Sequence, residues 1–284
     1  DLLQKQMNFK GLIFTDALEM GGIVKLFPQG ELEVRCLIAG CDVLLIPGEF
    51  SVVAMAIKQA LLDGRLTIED IDNKCLKILK MKEKYVLNNS KSIDLENIKQ
   101  DLNLSYVDAL NAQLMQKAVT LLSNKNNILP LEKTKKGLYL RESRSNDFTL
   151  KTTLERYLDI TTITEKESLA NATKKINDAK QNVDYIIVSL SNLHQYPSKQ
   201  YGLNEKSIQF LKNLTNENIP VILLLSGNPY ALNEFPFADK FAAIVVGYHP
   251  LPMADLAIGE AICGKNAISG QLPIELNQFP LHTG

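Results

Sequence analysis

Apolar positions in the first third of the chain alternate between two patterns. Gly11-Leu-Ile-Phe-Thr15 and Asp42-Val-Leu-Leu-Ile46 are short continuous apolar runs punctuated by glycine, aspartate or proline, and each predicts a buried strand. Between and beyond them the apolar spacing lengthens to that of a helix face. It predicts helices over about 30–39, 51–62 and 67–84, the last opened by the capping-box spacing Thr67-x-x-Asp70. Strands alternating with helices imply parallel βαβ units, whose functional loops gather at the strands' carboxyl ends.

A polar stretch including Asn88-Asn89-Ser90-Lys91-Ser92 follows, after which the apolar pattern restarts. Ser105-x-x-Asp108 has capping-box spacing and predicts a helix to about Val119. Apolar runs near 138–140, 160–163, 185–190, 221–225 and 243–246 predict five strands. Helical stretches near 168–180, 205–214 and 253–263 separate some of them. That order implies an open, mostly parallel sheet covered on both faces. The reading is of an α/β chain in three parts: 1–86, a linker at 87–104, and a second domain over 105–284.

Composition narrows the function classes. A length of 284 residues suits roughly two domains, and 45% apolar with 22% charged residues excludes a disordered chain. The formal net charge of -1 provides no basic field for nucleic acid or an anionic membrane surface. The chain has no tryptophan, and its longest apolar runs are far short of the ~20 residues that span a bilayer. Cys36, Cys41, Cys75 and Cys263 form no metal-ligand spacing and read as small buried apolar residues.

The strongest candidate for chemistry is Asp16, delivered at the end of the first predicted strand, where parallel α/β folds gather catalytic groups. Spacing alone also allows a structural role, because Asp16-x-x-Glu19 fits a helix cap. His194 lies in a polar loop with reach toward a neighbouring site, His249 follows a strand of the second domain, and His282 has no visible role. Gly259-Glu-Ala-Ile-Cys-Gly-Lys-Asn266 imitates a phosphate loop but ends in Asn266 and follows a helical stretch, so it is excluded. Ser226-Gly-Asn-Pro229 lacks the glycine pattern of a nucleophile elbow.

The segment Lys10-Gly-Leu-Ile-Phe-Thr-Asp-Ala-Leu-Glu-Met20 resembles glycoside hydrolase family 3, in its β-N-acetylhexosaminidase branch. Ala39-Gly-Cys-Asp-Val-Leu-Leu-Ile46 is similar to the family's last barrel strand. The segments 118–131, 221–229 and 269–273 are similar to its second domain. The β-glucosidase branch usually carries tryptophan after its nucleophile, whereas Ala17-Leu-Glu-Met20 here resembles the N-acetylglucosaminidase branch; the β-glucosidase branch is the alternative.

The resemblance implies a retaining mechanism with Asp16 as nucleophile, Met20 and His194 as candidate substrate contacts, a carbohydrate substrate, and no metal or organic cofactor. It places the acid/base, a histidine, on a barrel loop preceding the region seen here. Two strands cannot close an eight-stranded barrel, so residues 1–86 are expected to be a barrel remnant followed by an α/β/α sandwich. The opening residue reads as a cut, and the natural protein is expected to extend beyond Gly284. The missing barrel segment would be a covalent or associated partner, and the chain alone is expected to be inactive. A different class also remains open: 105–284 as a non-catalytic carbohydrate-binding or scaffolding module. The compartment stays open between bacterial cytoplasm, periplasm and export.

Overall fold

The computed structural model describes residues 2–89, 92, 95–142, 149–165, 170, 173–191 and 193–284. The chain divides into two compact units, residues 1–96 and 97–284.

In the first unit β1 (Phe14–Ala17) pairs in parallel with β2 (Val43–Leu45), and α1 (Glu31–Ile38) forms the crossover. Two further helices follow, α2 (Phe50–Leu62) and α3 (Ile68–Tyr85). Val34 and Leu37 of α1, Ala60 of α2 and Leu66 make a small core, with Leu44 of β2 packed against it. Polar bonds do the rest of the fastening. The buried Asp42 side chain accepts from the Ile13 amide at 2.8 Å and from Lys77 Nζ at 2.7 Å, tying the approach to β1 to α3. Thr67 caps α3 as its spacing predicts, accepting from the Asp70 amide at 3.0 Å.

The second unit holds a six-stranded sheet in the order β3-β8-β7-β6-β4-β5. Its strands are β3 (Thr120–Asn124), β4 (Lys136–Glu142), β5 (Asp159–Glu165), β6 (Tyr185–Ser191), β7 (Val221–Ser226) and β8 (Ala243–Val246). Only the edge strand β3 is antiparallel. The helices are α4 (Ile98–Leu102), α5 (Ser105–Ala118), α6 (Thr149–Tyr157), α7 (Thr173–Ala179), α8 (Glu205–Leu214) and α9 (Pro252–Ile262).

Both faces of the sheet are covered. Leu138, Val188, Leu223 and Ile244 pack on one side with Ile176 of α7 and Leu211 of α8. Tyr139, Ile187, Leu224 and Val245 pack on the other with Leu154 of α6 and Ile258 of α9. Burial on both faces explains why the central strands read as unbroken apolar runs. The parallel strands β5-β4-β6-β7-β8 follow a doubly wound order whose direction reverses between β4 and β6.

Several expectations change. Asp16 lies within β1 instead of just beyond it. Ser105 is the first helical residue of α5, and the preceding Leu104 takes the cap position without a side-chain bond. The stretch 87–104 contains α4, because Ile98–Leu102 closes a turn of its own. Strand β3 and helix α6 were not expected from the pattern. Part of the helix expected near 168–180 lies outside the described residues. Cys75 is exposed, and Cys36, Cys41 and Cys263 are half-buried, so the four do not form a uniform buried class; all are free thiols.

Candidate active site

The first unit builds a cavity around the end of β1. Asp16 is exposed at the strand's carboxyl end. Its Oδ1 accepts a hydrogen bond from the Ala17 amide at 2.7 Å, which orients the carboxylate. Its Oδ2 has no partner among the described residues. No helix begins here, so the capping alternative is not realised. The chain instead leaves the strand through turns, with Met20 N bonding Ala17 O at 3.3 Å and Ile23 N bonding Met20 O at 3.0 Å.

Those turns bring Met20 and Ile23 to the same cavity as Asp16, about 470 Å³ in volume and walled also by Leu18, Leu32 and Cys36. The pairing that holds the strand end is specific. Thr15 Oγ1 accepts from the Leu45 amide at 2.8 Å, and the Leu18 amide bonds Leu45 O at 3.0 Å. Among the described residues Asp16 is the only carboxylate in the cavity wall, and no histidine lines it. Burial pushes the Cys36 thiol above its ordinary pKa, so it is held as a neutral group. The wall is thus apolar around one carboxylate, whose free oxygen is suited to nucleophilic attack or to stabilising a neighbouring positive charge.

A residue that pattern reading missed organises the other side of this cavity. Glu33, only 2% exposed, accepts from the Gly30 amide through Oε2 and from the Gly48 amide through Oε1, each at 2.8 Å. One carboxylate therefore pins the start of α1 to the loop after β2. Gly30 is required at that cap. Its φ is 89°, and a Cβ there would approach Ala56 Cβ to 2.7 Å. The spacing Gly30-x-x-Glu33 was the available signal.

His194, half-buried, lies in the second unit on the loop after β6. Its amide bonds Tyr201 O at 2.7 Å, and its Nδ1 accepts from the Tyr196 amide at 3.1 Å, leaving Nε2 as the donor of the neutral ring. Gln200 and Tyr201 of this loop hold left-handed φ values of 47° and 54°. His249 and His282 are exposed. Ser226 is committed structurally, its Oγ 2.9 Å from Asp255 Oδ1 in a buried link to the first turn of α9. Gly259 lies inside α9, packed against Thr153, which disposes of the phosphate-loop likeness. Among the described residues no group of three or more His, Cys, Asp or Glu side chains could hold a metal. Nor is any helix among them long and apolar enough to cross a membrane.

A strand-end carboxylate over an apolar cavity in one unit and a doubly wound sheet in the other define a two-unit α/β protein. The family follows from comparison. The model of the glycosyl hydrolase family 3 N terminal domain matches residues 1–81, and that of the family's C-terminal domain matches residues 119–279. The chain belongs to glycosyl hydrolase family 3.

Three relatives set the scale. A beta-N-acetylglucosaminidase/beta-glucosidase from Cellulomonas fimi is 24% identical over 131 residues, covering 46% of this chain and 23% of that protein. A family 3 beta-N-acetylglucosaminidase from Paenibacillus sp. str. FPU-7 superposes with a TM-score of 0.74 at 22% identity, covering 100% of this chain and 53% of that one. The beta-glucoside phosphorylase BglX superposes with a TM-score of 0.76 at 20% identity, covering 96% and 50% respectively. The chain therefore spans about half the length of these structural relatives or less.

Proposed function

We propose that this chain supplies the nucleophile of a retaining glycoside hydrolase that releases terminal β-linked N-acetylglucosamine from glycans or peptidoglycan fragments. The observation that carries this reading is the carboxylate of Asp16, oriented through Oδ1 by the Ala17 amide with Oδ2 free at the strand's end. Oδ2 attacks the anomeric carbon as the glycosidic bond breaks and the leaving oxygen takes a proton from the acid/base. Water, giving its proton back to that group, then cleaves the glycosyl–aspartate ester with net retention. Met20 is proposed as a wall of the sugar subsite. His194 is proposed as a saccharide contact within its own unit, donating through Nε2. The mechanism requires no metal.

The first unit is proposed to be the closing part of a (β/α)8 barrel. Phe14 is 56% exposed and Leu45 44% exposed on a two-stranded sheet, an apolar face that further strands would cover. The acid/base, a histidine, is proposed to reside on a loop of that preceding barrel segment, so the chain by itself is expected to be inactive. The Cellulomonas fimi relative carries both activities in its name, which keeps the β-glucosidase as the second reading.

The test is hydrolysis of a chromogenic β-N-acetylglucosaminide, beside the β-glucoside, by this chain and by the full-length protein. Cleavage of the N-acetyl substrate by the longer protein alone is the expected result. Preference for the glucoside overturns the branch, and activity of the chain alone overturns the placement of the acid/base.

A further inference from the structure

Helix α1 ends in a tight cap that brings two of the four thiols together. Ala39 closes the helix, and Gly40 follows with a left-handed φ of 103°. The Gly40 amide donates to the Leu37 carbonyl at 3.1 Å, and the Cys41 amide donates to the Cys36 carbonyl at 3.0 Å. These are the paired 5→2 and 6→1 bonds of a Schellman cap, a motif in which the side chains at the two outer positions commonly touch. Both outer positions are cysteine here.

The geometry meets the condition for a disulfide. Through the 3.0 Å hydrogen bond the two Cα atoms lie within about 7 Å of each other even with every link collinear, and real bond angles draw them closer. Disulfides span Cα separations of about 4.4–6.8 Å. The thiols also feel one another. Burial is the largest cause holding the Cys36 thiol above its ordinary pKa, the neighbouring Cys41 is the next, and Glu33 adds to both. Burial raises Cys41 as well, opposed by the Lys74 ammonium and reinforced by Asp42. Thiols held neutral lack the thiolate stabilisation that makes a disulfide easy to reduce. Both are half-buried, whereas Cys75 is exposed on α3 and Cys263 belongs to the other unit.

The pair sits at a mechanically sensitive place. Cys36 walls the Asp16 cavity, and Cys41 immediately precedes Asp42, whose carboxylate holds the Ile13 amide and Lys77. We infer that Cys36 and Cys41 are a redox-sensitive pair that closes to a disulfide by exchange with a low-molecular-weight disulfide of the glutathione class, stapling the end of α1 to the loop before β2. The Cys41 sulfur, whose thiolate the Lys74 ammonium favours, attacks one sulfur of the oxidant. One thiolate leaves, and a mixed disulfide remains on Cys41. The Cys36 sulfur then attacks the Cys41 sulfur and displaces the second thiolate. The two protein thiols give up two electrons and two protons, and the oxidant departs as two thiols. A dithiol reductant reverses the bond. The pair stands independently of the hydrolase reading.

The test exposes the intact chain to oxidised glutathione at about pH 8.5, the ordinary thiol pKa, followed by alkylation and tryptic mapping. Cleavage after Arg35 and Lys58 places both cysteines on the peptide 36–58. That peptide is expected two hydrogens lighter and unalkylated until dithiothreitol is added, while Cys75 carries glutathione. Cys36→Ser is expected to arrest the reaction at a glutathione adduct on Cys41. In graded glutathione buffers the folded chain is expected to hold the bond roughly tenfold or more tightly than the chain in concentrated urea, because the cap has already closed the loop. Three results overturn the inference: both cysteines of the peptide alkylated while Cys75 carries glutathione, a lasting glutathione adduct on Cys41 in the wild-type chain, or a bond no tighter in the folded chain than in urea, which would assign it to short sequence spacing alone.

Discussion

Glu33→Ala is expected to loosen the frame around the Asp16 cavity. The wild-type carboxylate accepts two backbone N–H bonds of 2.8 Å in a residue only 2% exposed, so neither amide has water as a ready substitute. Hydrogen bonds to a charged group contribute about 1.5–3 kcal/mol each, and stranded buried donors forfeit that amount. Two such bonds give a gross loss of about 3–6 kcal/mol. Relief from burying a charge, together with the better helix propensity of alanine, offsets part of it, leaving a net loss of about 2–4 kcal/mol. Native-state amide exchange reads this directly. The Gly30 and Gly48 amides, and α1 between Leu32 and Leu37, should exchange roughly 30- to 1,000-fold faster. Glu33→Gln, which keeps one carbonyl acceptor, should fall between the two, with Gly30 and Gly48 no longer equally protected. Unchanged exchange at both glycines in Glu33→Ala would refute the bridge and its role in shaping the cavity that Leu32 and Cys36 line.

Other outcomes follow from the same structure. The Arg65 guanidinium, and secondarily Arg35, holds the Glu31 carboxyl below its ordinary pKa. A depressed carboxyl stabilises above its unfolded value and ceases to as pH falls through the folded one. Glu31→Gln should therefore lower the thermal midpoint at neutral pH, with the gap closing in acid and in high salt; an equal gap in acid contradicts the assignment. Among the thiols, exposed Cys75 should react first with a maleimide, and Cys263, which burial pushes up to about 11, should react last; the reverse order in peptide mapping counts against the burial described. In the full-length protein, Asp16→Gly should abolish hydrolysis, and added azide should restore turnover as a glycosyl azide of inverted anomeric configuration. Product of retained configuration would exclude Asp16 as the nucleophile.

Much of the second unit was legible because its strands are buried on both faces. Residues 221–225 and Ala243–Val246 are uninterrupted apolar runs, and no helix competes at that length. The edge strand β3 was hidden for the opposite reasons. It is only partly covered, and it follows α5 after one residue, with no glycine or proline between them. Helix α6 was masked by Thr149, Thr152 and Thr153, whose β-branched side chains weaken the helical signal, although Leu150, Thr153 and Leu154 form its buried stripe.

At the candidate site, Asp16 could be picked out as a strand-end carboxylate, but its place inside β1 depends on tertiary pairing. The Asp42 carboxylate holds the Ile13 amide outside the strand, and among the described residues β2 supplies the only neighbouring ladder. Glu33 reads as an ordinary polar helix residue until Gly48 is brought to it from fifteen positions away. Ile23 and Cys36 join the cavity through turns and a crossover that no local pattern encodes.

The most direct test of the account is covalent trapping of the full-length protein with a fluorinated β-N-acetylglucosaminide inactivator, followed by peptide mapping. The account predicts a stable ester on the peptide that contains Asp16, at one label per active site, with activity lost in step. Inactivation with the label on any other residue, or turnover of the natural substrate with no trapped ester at all, would contradict it.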